Sequence, residues 1–292
     1  MNNPKVTVLM TAYNREKFIA EAIESVLASS YSDLELIIVD DRSTDRTLQI
    51  AQDYAEKDKR IRVYRNEKNL GDYPNRNKAA SYAKGKYLKY LDSDDKIYFY
   101  GLEVMVKAME QFPNAAMGLS QGRPEEEIPY PFEVSPEDCF REQFLGRGML
   151  NSGPSGSILR RDIFEREGGF RIRRFLGDAE MWYRLAMKYP IIKMAPGLIW
   201  WRKHELQEIS IGTESLYYLQ TAFKINIEAL SSPDCPLSAE ETTKAIRRQK
   251  QHHARRILSV AFKSKKIRLA LKLFRESELG FAELIRGSKP YQ

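Results

Sequence analysis

The chain has 292 residues, 42% hydrophobic and 11% aromatic, which is enough for a packed core and excludes a disordered polymer. The net charge of +7 is uneven: eleven Lys and Arg and no Asp or Glu fall between Thr242 and Phe274, so the remainder of the chain is acidic and a general nucleic-acid binder is excluded. No apolar run reaches 18 residues, the N-terminus lacks a signal-peptide layout, and Cys139 and Cys235 are too few for a disulfide framework. Reduced thiols, no membrane-spanning helix and a cytoplasmic location are therefore expected.

Val6 to Met10 reads as a buried strand. Phe18, Ile19, Ala22, Ile23, Val26 and Leu27 follow at helical spacing. Leu34 to Val39 is a second strand, closed by Asp40 and Asp41, and Ser43-Thr44-Asp45 offers caps for a helix through Leu48, Ala51 and Ala55. Ile61 to Tyr64 is a third strand. A helix is predicted from about Pro74 to Ala83, with Gly85 as its stop. Lys86 to Leu91 is a fourth strand, and a helix from about Phe99 to Phe112 follows.

The middle is less regular. Gly122 to Pro136 reads as a loop, Pro136 to Leu145 as a helix, Gly146 to Gly156 as a small-residue loop and Ser157 to Leu159 as a short strand. Gly177-Asp178 opens a helix, and Ile191 to Trp201 returns as one or two strands. From about Thr213 the pattern is helical throughout, with capping-box spacing at Ser238 to Glu241. The alternation in the first half implies an α/β fold: a Rossmann-like, mostly parallel sheet with helices on both faces, and a helical C-terminal appendage. Residues 1–212 are expected to form the first domain and 213–292 a basic helical region.

Ligands of such sheets bind beyond the carboxyl ends of the strands. Three ends qualify: Thr11-Ala12-Tyr13, Asp40-Asp41, and Asp92-Ser93-Asp94-Asp95. Carboxylates crowded at one strand end repel each other. A divalent cation relieves that repulsion and can bind phosphate oxygens, although an acidic turn capping the next helix has the same composition.

As an ordered set, Val6 to Asn14, Ile37 to Asp41 with Ser43-Thr44-Asp45, Asn69 to Gly71 with Arg76-Asn77, and Leu91 to Asp95 resemble the family 2 glycosyltransferases of GT-A fold. Gly177 to Ala186 is similar to that family's later acidic helix motif. Trp201 to His204, with Ser210, is similar to its terminal arginine-histidine motif. The resemblance covers about residues 4 to 212. It implies an inverting transferase that uses a nucleotide diphosphate sugar as donor, a carbohydrate or lipid-linked acceptor, and Mn²⁺ or Mg²⁺.

The resemblance also implies roles. Thr11, Ala12 and Tyr13 would line the base and ribose pocket, and Asp41 would accept a hydrogen bond from the base, which favours uracil. Arg76 would reach a phosphate, and Ser93 would belong to the nucleotide site. Asp92 would contact ribose or metal, while Asp94 and His204 would ligate the metal. Asp95 is expected to cap a helix. Asp178 would be the general base, with Glu180 as fallback; the acid that usually precedes that base is absent, because residue 177 is glycine.

Two other readings stay open. A sugar-phosphate nucleotidyltransferase would show a glycine-rich phosphate loop after the first strand, where this chain has Thr11 to Arg15. A sugar-nucleotide-binding module that has lost catalysis is supported by Gly177 alone. In the tail, Ile246, Ala254, Ile257, Leu258, Ala261, Phe262, Leu269, Leu273 and Phe274 form an apolar pattern amid basic residues. It is either a peripheral contact with the inner face of a membrane or a helical appendage with a solvated basic face.

Overall fold

The computed structural model describes residues 3–120, 128–204 and 217–288, so Ser210 and part of the Gly122 to Pro136 segment lie outside the described residues. The chain forms two compact units, Met1–Pro136 with Met149–Lys203, and Glu137–Gly148 with His204–Gln292.

In the first unit the expected alternation holds: β1 (Val6–Ala12), α1 (Ile19–Leu27), β2 (Leu34–Asp40), α2 (Thr47–Lys57), β3 (Ile61–Arg65), α3 (Asp72–Ser81), β4 (Tyr87–Tyr90), β5 (Lys96–Ile97) and α4 (Gly101–Gln111). Then come β6 (Met117–Leu119) and β7 (Phe132–Val134), with α5 (Pro136–Phe144) leading into the second unit. The first unit resumes with β8 (Ser157–Arg160), α6 (Arg161–Arg166), α7 (Gly177–Ala186), β9 (Ile191–Lys193) and β10 (Ile199–Trp200).

Among the described residues eight strands form one sheet in the order β3-β2-β1-β4-β8-β6-β9-β7, and β5 pairs with β10 separately. The β1–β2, β2–β3, β1–β4 and β6–β9 pairings are parallel. Antiparallel β8 lies between β4 and β6. The apolar, β-branched composition of β1 and β2 suits strands covered on both faces, and Val8, Leu9, Leu36 and Ile37 are sealed from solvent. Each such side chain contributes about 1.5–3 kcal/mol. Chain order reverses between β1 and β4, so the topological switch point falls at their carboxyl ends.

Two expectations change here. Helix α3 starts two residues earlier than predicted, because Gly71 (φ 83°) turns the chain and Asp72 pairs with Arg76 one turn on. It also ends at Ser81, so Gly85 is not its stop. Gly85 is required by packing instead: a Cβ there would lie 2.5 Å from the Thr7 backbone nitrogen. The unanticipated elements β5, β6, β7 and α6 are too short to show a period, and β7 falls inside the Gly122 to Pro136 segment expected as a loop.

The second unit contains α8 (Tyr217–Leu230), α9 (Ala239–Phe262), α10 (Ile267–Glu276) and α11 (Phe281–Ser288). Both halves of the expected capping box form at Ser238 and Glu241. Its core holds Phe223, Ala254, Ile257, Val260, Ala270 and Leu273. No described helix is long and apolar enough to cross a membrane, and neither cysteine is in a disulfide.

Candidate active site

The register aligns Ala12 of β1 with Asp40 of β2, and Leu91 N–H donates to Leu9 O at 3.0 Å just past β4. Parallel pairing thus gathers the segments after β1, β2 and β4 at one edge. Ser93 Oγ donates to Thr11 O at 2.9 Å, and Asp41 N–H donates to Ala12 O at 2.8 Å. Thr11, Ala12, Asp41 and Ser93, read separately from the sequence, are therefore neighbours. Tyr13 stands beside them, 46% exposed, open to stack on a planar group.

Asp41 is buried and accepts three hydrogen bonds: at Oδ1 from Asn66 Nδ2 (2.8 Å) and Leu70 N–H (2.8 Å), and at Oδ2 from Gly71 N–H (2.9 Å). Its first role is to hold the loop before α3. Asp40 accepts from Ser43 N–H and pairs with Arg65.

The acidic turn carries its own counter-charges. Arg76 is buried, and its guanidinium donates to Asp72 Oδ1 and to Asp92 Oδ1, each at 2.7 Å, near the Tyr90 ring. It is not a solvated helix-face arginine. Its Nη1 is buried with no hydrogen-bond acceptor among the described residues, a donor suited to an anion. Arg15 Nε donates to Asp94 Oδ2 at 3.0 Å. The sequence reading missed Arg15, and its place just past β1 was the available signal.

Asp95 is not a helix cap, since α4 begins only at Gly101. It is buried and accepts the Arg202 backbone N–H at 3.1 Å. The Arg202 guanidinium donates to Asp94 O at 2.8 Å and packs over the Trp200 and Phe18 rings. The later arginine thus braces the acidic turn. Burial, followed by the charges of Asp92 and then Asp94, pushes the Asp95 carboxyl up to about 7.

Lys89 was also missed. It lies inside β4 and is fully buried, donating to Tyr90 O (2.5 Å) and Ser155 O, while Ser155 Oγ accepts Asp92 N–H at 2.9 Å. Burial lowers its ammonium to about 7, against the opposing pull of Asp92 and Asp95. A lysine in an otherwise apolar strand was the legible sign.

Asp178 sits in the first turn of α7 as its second residue. Leu176 holds the N-cap position, so the capping alternative does not apply. Asp178 Oδ1 accepts from Ala179 N–H (2.8 Å) and from Tyr73 Oη (3.0 Å). Burial raises its carboxyl to about 6 against the lowering effect of those two bonds. Tyr73 and Arg76 share α3, so one helix end serves both Asp178 and Asp92. Glu180 is buried between Arg171 (3.0 Å) and Arg184 (3.2 Å), a paired carboxylate rather than a poised base.

A sequence profile described as glycosyl transferase family 2 matches residues 7–168, more than half of the chain. The chain belongs to this family. TuaG of Bacillus subtilis strain 168, named for a proposed role as a teichuronic acid biosynthesis glycosyltransferase, is 34% identical over 173 residues, 56% of this chain and 69% of that one. Glycosyltransferase GlyG of Streptococcus pneumoniae serotype 4 is 28% identical over 203 residues, 64% of this chain and 67% of that one. The chain spans less than half the length of other relatives it matches, such as a glycosyltransferase of Haemophilus influenzae, 44% of which is covered at 38% identity over 111 residues.

Among solved structures, Staphylococcus aureus TarS 1-349 superposes with a TM-score of 0.66 at 20% identity, covering 94% of this chain and 80% of that chain. The mannosyltransferase PcManGT from Pyrobaculum calidifontis, in complex with GDP-Man and Mn²⁺, superposes with a TM-score of 0.62 at 18% identity, covering 99% and 87%. These likenesses establish the GT-A-type fold of this family 2 chain.

The family implies a divalent cation, and the residues present fit one. Asp92 and Asp94 are hard oxygen donors. Asp95, whose buried Oδ2 has no hydrogen-bond partner among the described residues, is raised by burial first and then by the charges of Asp92 and Asp94, a repulsion of the kind a cation relieves. Among the described residues no three His, Cys, Asp or Glu side chains form a metal-holding group. A donor set of one or two carboxylates suits Mg²⁺ or Mn²⁺ shared with substrate phosphates and water. His204 opens the second unit.

Proposed function

We propose that this family 2 glycosyltransferase moves a sugar from a nucleotide diphosphate sugar, a UDP-sugar first, to an acceptor hydroxyl with inversion of the anomeric carbon. The observation that carries this reading is the joint use of α3 by two sites. Arg76 pairs with the acidic turn through Asp92, and Tyr73 on the same helix holds the raised carboxyl of Asp178. Tyr13, Thr11, Ala12, Asp41 and Ser93 would seat the nucleoside. Asp92 would serve ribose or metal, with Asp94 as a metal ligand. A bound Mn²⁺ or Mg²⁺ would stabilise the departing diphosphate.

The protein's own contribution to the chemistry is then direct. The free Nη1 of Arg76 donates to a diphosphate oxygen as charge builds there. Asp178 removes the proton of the acceptor hydroxyl, whose oxygen attacks the anomeric carbon while the bond to the diphosphate breaks. A carboxyl near 6 suits this task, being ionised at neutral pH yet more basic than a solvated aspartate. No covalent sugar intermediate is needed. Catalysis belongs to a domain spanning residues 1–212, with 213–292 as its appendage, and the pathway class is assembly of cell-surface polysaccharide or glycolipid.

The tail reading changes with the structure. Of the apolar positions read from the sequence, Ala254, Ile257 and Leu273 are buried in the second unit's own core, and Ala261, Leu269 and Phe274 pack against it. Phe262, also read from the sequence, is instead exposed, together with Ile267, Leu271, Phe281 and Ile285, beside Lys263, Arg268 and Lys272. This second set is our candidate for contact with an anionic cytoplasmic membrane face that carries a lipid-linked acceptor.

The test is a panel of UDP-, GDP- and dTDP-sugars with Mn²⁺ or Mg²⁺, read by thermal shift and by slow donor hydrolysis. Binding and turnover of at least one metal-dependent donor is expected. If none binds or turns over, the proposal fails. Pyrophosphate release from a sugar phosphate and UTP would instead identify a nucleotidyltransferase.

A further inference from the structure

We propose that Tyr73 is the positioning residue for Asp178, its ring filling the space of a side chain at residue 177 and its hydroxyl fixing one carboxylate oxygen so that the other faces the acceptor. The inference rests on the reading of Asp178 as general base.

Gly177 is the first residue of α7 and has no positive φ, so its backbone does not call for glycine. Space does. A Cβ at residue 177 would lie 2.8 Å from Cγ, Cδ1 and Cδ2 of Tyr73, closer than real Cβ atoms approach such atoms. The ring cannot retreat freely: Tyr73 is 4% exposed and packs against Phe170 at 5.3 Å between centroids. Tyr73 and Gly177 are thus a matched pair, and the missing acid at 177 is explained by the aromatic ring across its Cα.

The hydroxyl then does what a second acid would not. It donates to Asp178 Oδ1 at 3.0 Å, and Ala179 N–H donates to the same oxygen at 2.8 Å. Oδ2 accepts no hydrogen bond from the described residues. The carboxylate is therefore anchored through one oxygen and presents the other as its basic atom. The charged groups around Asp178 are Asp72, which raises its carboxyl, and Arg76, which lowers it; both lie on α3 beside Tyr73. The phenol of Tyr73, itself raised well above its ordinary value by burial, remains a neutral donor across the working pH range.

The test compares Tyr73→Phe with the intact enzyme, using the sugar nucleotide that turns over in the donor panel. The Phe variant keeps the ring over Gly177 and removes only the donor. Its kcat is expected to fall about fivefold near pH 6 and to recover above pH 8. The acid limb should move up by about one pH unit, and KM for the donor should not change. Incorporating 3-fluorotyrosine at residue 73 strengthens the donor without changing the ring, and should move the same limb down.

An acid limb that stays in place in both proteins overturns the proposal. Asp178→Asn is measured alongside. If it still transfers, the assignment of the base is what fails. If it is inactive while both Tyr73 replacements match the intact enzyme, only the role of Tyr73 fails.

Discussion

Replacing Asp178 by Asn should remove activity and make the protein more stable. The folded state raises this carboxyl from 3.8 to about 6, chiefly by burial. Between those values the native protein binds a proton that the unfolded chain has released, so stability falls as pH rises through that window. Above pH 6 the buried charge is fully present. About two pH units at ~1.4 kcal/mol each give a ceiling of about 3 kcal/mol. The side chain is only partly enclosed by the fold, so about 1–2 kcal/mol is the realistic gain for Asn, which still accepts the Tyr73 hydroxyl. Urea unfolding at pH 8 and pH 4 reads the effect: the variant should be more stable at pH 8, and the gap should close by pH 4. Sugar transfer should be lost while UDP affinity is kept. A variant less stable than the parent at pH 8 would refute the assignment of a strained, desolvated carboxyl. Unchanged transfer would refute its catalytic role.

Three other measurements probe separate parts of the reasoning. Lys89→Met should cost about 2–4 kcal/mol in urea unfolding, because the carbonyls of Tyr90 and Ser155 lose their shared donor in a dry interior, and a change under ~0.5 kcal/mol would show that the lysine is dispensable. His253 is buried against the Phe223 ring with neither nitrogen hydrogen-bonded among the described residues, and burial, then His252 and Arg256, lower it from 6.5 to about 4. The unfolded chain takes up that proton first, so stability is full above pH 6.5 and falls by up to about 3 kcal/mol as pH drops to 4; His253→Phe should flatten this limb in thermal melts at pH 7.5 and 5. Gly85→Ala should destabilise by about 3 kcal/mol in chemical denaturation, since its methyl meets the Thr7 backbone rather than a movable side chain.

Much of the fold was legible because it depends on local pattern. Strands β1 to β4 and the helices between them are long enough to show their period, and their order implies a parallel sheet. The N-cap read at Ser43 to Asp45 does not form there, because the turn carries the chain on to Arg46, which holds the N-cap of α2 with no side-chain cap. The sheet's carboxyl edge then pointed to Thr11 to Tyr13, Asp41 and Asp92 to Asp95 as neighbours, and the register brings them together. The misreadings share one cause. The end of α3 and the purpose of Gly85 are decided by what packs against them, which no short window contains.

The sequence alone determined the order of elements, the acidic strand ends, the Ser238 capping box and the resemblance to family 2. The acidic strand ends and the capping box depend on residues within a few positions of one another, and the order of elements and the resemblance on the succession of such short patterns along the chain. Only the tertiary structure decided how the charges are balanced. Arg15 reaches Asp94 from just past β1, Lys89 ties the strand beneath the acidic turn to Ser155, and Tyr73 crosses to Asp178 from a helix more than a hundred residues away. A carboxylate's affinity for a proton depends on the charges, donors and solvent within a few ångströms of it, wherever they lie in the chain. The sequence therefore located the acids, and the fold set the balance of burial, counter-charge and hydrogen bonding that assigns each its proposed part.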